Sequence, residues 1–226
     1  MIWQNITLLI AGGINLIMSI IVFSRGIKNK INLYFGLLTL SNFLWAVTLL
    51  LSIILSDNAV AEIFYRTAYL AAIGIAVSLF YFTVYFPYKI KNFKVYNNIF
   101  ILFFVIIITI LIYSKLHIIN FQRGIDLSFW SIDYYKPFYL IYSLFFFLLV
   151  IFGVYFLVSR MHDLEIHLKS KIKILSITII IGLVFGVYFD LLLCYFGNFK
   201  YIGFGPIFTA FMNAYVFYLL TSNKER

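Results

Sequence analysis

The sequence predicts an all-α protein, an integral membrane bundle of seven transmembrane helices. Three observations predict it. Hydrophobic residues make up 64% of the 226 residues and charged residues only 11%, against about 25% charged in a soluble domain. No soluble chain of this length has an interior large enough for so much apolar surface. Apolar runs of about 20 residues recur along the chain, the length a helix needs to cross a hydrocarbon core of ~30 Å. These runs are apolar on every side, whereas the strands of a transmembrane barrel would alternate apolar and polar residues.

The elements follow in order. The first helix is read at Trp3–Ser24; its basic residues follow it rather than precede it, and it lacks a small-residue cleavage site, so it is not a signal peptide. The second is Asn32–Leu55, and the third is Glu62–Phe86, stopped by Pro87. The fourth is Val95–Ser114, the fifth Pro137–Ser159 and the sixth Ile172–Phe196. The seventh is Phe204–Thr221, with Pro206 in the first turn, where proline is tolerated. Residues 1–226 are read as a single transmembrane domain. The longest loop, residues 115–136, suits either a lid over one mouth of the bundle or a segment lying flat at the interface.

Orientation comes from the basic residues of the loops. Twelve fall on one side: Arg25, Lys28, Lys30, Lys89, Lys91, Lys94, Arg160, Lys169, Lys171, Lys173, Lys224 and Arg226. Four fall on the other: Lys115, Arg123, Lys136 and Lys200. The richer side is predicted to be cytoplasmic, which puts the N-terminus outside and the C-terminus inside, in a plasma (inner) membrane. The net charge of +9 then reflects orientation signals and not a nucleic-acid surface.

Polar residues within the runs are the candidates for function or for helix pairing. Asn15, Asn42 and Asn213 fall near the midplane and are expected to meet, since an amide in hydrocarbon needs a partner. Ala11, Asn15 and Ser19 share one face, as do Ala68, Ala72 and Ala76; Gly182 and Gly186 share another, which Asp190 continues. Asp190 therefore points into the protein. Arg66, one turn into the third helix, lies at a similar depth, and the two are predicted to pair with help from Glu62. Arg66, Asp190, Tyr69 and Trp130 form the candidate ligand-binding set.

Several chemistries find no residues. No helix interior carries the lysine that a retinal Schiff base requires. His162 and His167 are five apart, off the i, i+4 spacing of a helical zinc site, and there is no P-loop or G-x-S-x-G. The single cysteine, Cys194, cannot form an internal disulfide. The expectation is a protein that is not an enzyme and that needs no metal or cofactor.

Asn15 in the first helix, the basic turn SRGIKNK, and NLYFGLLTLSNFLWAVTLL with Trp45 deep in the second helix are joined by RTAYLA, FYFTVYFP and GFGPIFTAFMNAYVFYLL. With these segments nearly the whole chain resembles the seven-transmembrane N-terminal sensor region of bacterial sensor histidine kinases. The resemblance implies a receptor-like input module that couples a stimulus to a cytoplasmic output domain or signalling protein such as a kinase. It supplies no catalytic residues. Only TSNKER follows the seventh helix, so the output is expected either to be detached from this region or to be a separate partner. The bilayer is the other partner, no nucleic acid is expected, and a homodimer is among the assemblies this reading allows. The competing readings are a small seven-helix transporter, whose path the three asparagines would line, and a ligand-free scaffold.

Overall fold

The computed structural model describes residues 2–88, 95–123, 130–199 and 201–222. Seven helices make up most of it. They are α1 (Ile2–Ser24), α2 (Lys30–Ile54), α3 (Asn58–Tyr85), α4 (Val95–Tyr113), α5 (Lys136–Ser159), α6 and α7 (Gly205–Ser222). Helix α6 runs from Ile166–Gly186 through a π-helical turn, Val187–Leu192, into Leu193–Tyr195. Five helices are long and apolar enough to cross a membrane, and α4 and α7 contribute shorter apolar stretches, Asn98–Tyr113 and Gly205–Thr221.

Helix ends depart from the apolar runs where polar residues do the terminating. Helix α3 starts at Asn58 because Asp57 caps it, its carboxylate accepting from the backbone N–H of Ala59 at 2.8 Å and of Val60 at 3.0 Å. Helix α6 begins at Ile166, six residues before the apolar run, since the charged stretch HLKSKIK is as good a helix former as the residues after it. Its far end is closed by Gly197 at φ +78°. The N–H of Gly197 donates to Cys194 and that of Asn198 to Leu193, the glycine-ended arrangement that satisfies the last carbonyls.

Six helices close a ring. Helix α1 packs on α2, α2 on α3, α3 on α5, α5 on α6, α6 on α7, and α7 back on α1. Helix α4 lies outside the ring, against α3. The face of α1 that carries Ala11, Asn15 and Ser19 is buried, and the Ser19 hydroxyl donates to the carbonyl of Gly36 on α2 at 3.2 Å. Outward faces carry exposed Ile17, Phe103, Leu144 and Ile151, a surface suited to lipid and not to water.

The loop after α4 is a two-stranded antiparallel hairpin, β1 (Ile118–Arg123) against β2 (Trp130–Tyr134), with a register shift between Ile118 and Asn120. Ile118, Phe121 and Ile132 are buried while Ser131 and Asp133 are exposed. One face of the hairpin therefore packs onto the helices. This corrects the picture of a segment lying flat beside the bundle. We call this end of the bundle the hairpin end.

Candidate functional site

A cavity lies inside the ring. Its volume is about 80 Å³ and part of it is open to the surroundings, below the ~300–1,000 Å³ of drug-sized sites. Trp45 and Leu49 from α2, Tyr69, Ala72 and Ile75 from α3, and Tyr142 and Phe146 from α5 form one side. Gly182, Gly186 and Asp190 from α6 and Thr209 and Met212 from α7 form the other. The Gly182–Gly186 face was expected to pack closely on a neighbour. Gly182 does approach Met212, but a Cβ added to Gly186 would meet nothing within 4 Å. Two glycines four apart leave a groove, and here part of that groove stays open as cavity wall.

Asp190 sits in the π-helical turn of α6. It is 9% exposed, and neither carboxylate oxygen has a hydrogen-bond partner. Its carboxylate lies against Gly205, the first residue of α7, so closely that any Cβ there would overlap it. A side chain at 205 would have to push this carboxylate aside, which favours glycine there. The positive end of α7 gives the carboxylate some electrostatic support without a basic partner. A π-turn inserts one extra residue into a helix, and such turns are frequent at functional sites. One of its carbonyls, that of Leu191, accepts from the Tyr139 hydroxyl at 2.9 Å.

The hydroxyls that border the cavity are already engaged. Tyr69 and Tyr65 both bond the hydroxyl of Tyr134, at 2.8 Å and 2.6 Å. The Tyr142 hydroxyl donates to the carbonyl of Tyr69 at 3.2 Å, and Thr209 to the carbonyl of Pro206 at 2.9 Å. Tyr134 belongs to β2, so the hairpin reaches the cavity wall through Tyr69.

The predicted partnership of Arg66 with Asp190 is not formed. Arg66 takes Glu62 instead, at 2.6 Å, and its guanidinium donates to the carbonyls of Ile112, Ser114 (2.8 Å) and Ile118 (3.1 Å). Ile112 and Ser114 lie at the C-terminal end of α4, where carbonyls have no partner within the helix. Arg66 therefore ties α3, α4 and β1 together at the hairpin end and does not border the cavity. Beside it, His117 is fully buried and neither ring nitrogen has a hydrogen-bond partner. Burial, and after it the charge of Arg66, push the His117 imidazole down to about 3. A second buried arginine, Arg160, plays a similar part at the opposite end, donating to the carbonyls of Thr83, Val84, Phe86 and Tyr88 where α3 finishes.

The family described as the N-terminal 7TM region of histidine kinase matches residues 7–224. The chain belongs to that family. No curated protein matches the chain. Family membership and the apolar helices together make it a multi-pass membrane protein.

Within this 7TM region the sequence-predicted residues separate. Asp190 and Tyr69 share the cavity; Arg66 stands apart from it. The backbone of Trp130 opens β2, paired with Arg123, but its side chain lies outside the described residues, as do those of His162 and His167. Asn213 donates to the side-chain oxygen of Asn15 at 2.7 Å, pinning α7 to α1. Asn42 is equally buried, and its amide turns back to the carbonyl of Leu38 at 2.9 Å. None of the three asparagines borders the cavity. Trp45, Tyr142 and Gly205 were not singled out by sequence reasoning as site residues. Gly205 had a signal, the G-P pair that starts α7; Tyr142 had none among so many aromatics.

Proposed function

We propose that this histidine-kinase 7TM region is a membrane-embedded sensor whose stimulus is received in the ring cavity and passed along α7 to a cytoplasmic output, a kinase domain or a partner protein. The observation that carries this reading is the contact between the cavity and the start of α7. Asp190 borders the cavity and abuts Gly205 in the same position. Anything that moves the π-turn moves the first residue of α7. A packed interface of this kind shifts between discrete arrangements rather than deforming smoothly, and a few kcal/mol of differential binding is enough to switch it.

Twelve basic loop residues against four support the orientation. The hairpin end then faces outward, α7 runs inward, and the membrane is the plasma membrane. The region acts by changing shape and carries no reaction of its own.

The test uses the chain joined at its C-terminus to a histidine-kinase output domain, in proteoliposomes. Gly186→Leu adds a side chain at the cavity wall, at a position where a Cβ meets nothing within 4 Å. It should lock autophosphorylation at one level whatever extract or stimulus is added. Gly13→Leu, on the exposed face of α1 where an added Cβ also meets nothing, should leave the response intact. Equal responses from both variants would overturn the reading.

A further inference from the structure

We propose that the ring cavity binds an amphiphilic amine, with the apolar body between the aromatic walls and a protonated nitrogen on the carboxylate of Asp190. This rests on the cavity being the sensing site and names what it senses.

The chemistry of the wall carries the inference. Among the described residues no lysine, arginine or histidine borders the cavity, and Asp190 is its one acidic residue. Both oxygens of that carboxylate are unused although the side chain is 9% exposed. Buried polar atoms without partners are rare in folded proteins and point to something that completes them. The hydroxyls of Tyr69, Tyr142 and Thr209 are spent on Tyr134, on the Tyr69 carbonyl and on the Pro206 carbonyl. The cavity therefore borders a carboxylate whose two oxygens have no partner, packed against Gly205 and reached by a ligand when the side chain turns toward the cavity, and no free hydroxyl donor. A carboxylic acid or phosphate would meet a like charge with only the Trp45 indole N–H to offset it. A ligand that brings its own positive donor satisfies Asp190, and the faces of Trp45, Tyr69, Tyr142 and Phe146 add cation–π attraction to burial of the apolar body. Water alone would satisfy the oxygens but leave the mostly apolar wall without a partner.

Free lipophilic amines and the ethanolamine head group of a lipid share this chemistry. The test uses the full chain in nanodiscs of phosphatidylcholine, which has no primary amine. Three probes with one apolar body are compared by equilibrium dialysis and thermal melting: phenylbutylamine, phenylbutanol and phenylbutyrate. The wild-type protein should bind the amine saturably, the alcohol at least about tenfold more weakly, and the acid not saturably. Asp190→Asn should lower amine affinity to that of the alcohol, and Gly186→Leu should abolish both. Displacement of the amine by phosphatidylethanolamine assigns the site to a lipid head group; no displacement assigns it to a free amine. Equal binding of amine and alcohol by the wild-type protein overturns the proposal without any variant, as does full amine affinity in Asp190→Asn. The sensor reading is judged separately: if the amine fails but Gly186→Leu still locks the kinase, the cavity senses something else. If the amine binds as expected but Gly186→Leu leaves the kinase responsive, the cavity binds without signalling.

Discussion

Arg66 and Asp190 are 6% and 9% exposed, one on α3 and one on α6, both toward the hairpin end. Arg66 donates to one carboxylate and three carbonyls. Around Asp190 nothing donates, and a cavity lies alongside. A buried charge whose partners are all protein groups fixes a structure. A buried charge left without partners costs free energy unless a ligand completes it. The difference separates a joint from a site, although the sequence presents both as a lone charge in an apolar run.

The sharpest break of this comparison is at Arg66. Arg66→Met removes the guanidinium donor from Glu62 and from the carbonyls of Ile112 and Ile118, and leaves Ser114 with only the N–H of His117. Breaking a buried, hydrogen-bonded charge from one side typically costs about 3–5 kcal/mol. Thermal or SDS-titration unfolding should show a loss of that order. Glu62→Gln should cost about 1 kcal/mol or less, because the Glu62 side chain is 32% exposed and an exposed pair contributes little. A mild Arg66→Met variant would remove the idea that Arg66 is the joint of α3, α4 and β1.

The same joint predicts a pH effect. The folded state holds His117 at about 3, below its ordinary 6.5, so on acidification the unfolded chain takes up a proton that the folded one refuses. Stability is full above roughly pH 6.5 and falls as pH drops toward 3, by about 1.4 kcal/mol per unit. Between pH 7 and pH 5 the loss is about 2 kcal/mol. The groups around the ring are Arg66 and the aromatics Tyr69, Tyr134, Phe138 and Tyr142. His117→Phe should remove this part of the slope. An unchanged slope in denaturation curves measured at both pH values would mean that another group sets it.

Much of this contrast could be read from the chain, and the limits have physical causes. The seven helices follow from hydrophobic length, and inward-facing Asp190 follows from the four-residue spacing with Gly182 and Gly186. The Asn15–Asn213 bond follows from depth alone, because two amides at one level in neighbouring helices have few other partners. The Arg66–Asp190 pairing failed for a related reason. Depth along a helix can be counted, but direction around its axis depends on which neighbour arrives. The acceptors that captured Arg66 are backbone carbonyls at the end of α4 and the start of β1, which carry no side-chain signature. The hairpin was legible in part. Ser131 to Tyr134 alternate outward and inward, but the register shift near Ile118 breaks the pattern in the opposing strand. The open groove at Gly186 could not be read, since a G-x-x-x-G pair looks the same whether a neighbour fills it or not.

The smallest expected change in stability is at Asp190 itself. Asp190→Asn keeps the volume beside Gly205. It breaks no hydrogen bond, because the carboxylate makes none. Two effects remain and oppose each other. Neutralising the side chain removes the cost of holding a charge away from water. It also removes the favourable interaction with the positive end of α7, about 0.3–1 kcal/mol and up to ~2 in a partly buried setting. The net change should stay within about 1 kcal/mol in either direction, well below that of Arg66→Met in the same assay. Gly205→Ala supplies the internal control: its Cβ must displace the carboxylate, so it should cost about 1–3 kcal/mol as an overpacked position. In an Asp190→Ala background, where the obstructing atoms are gone, that cost should largely disappear. If Asp190→Asn instead unfolds the protein as readily as Arg66→Met, then Asp190 is a joint after all and the division between the two charges collapses.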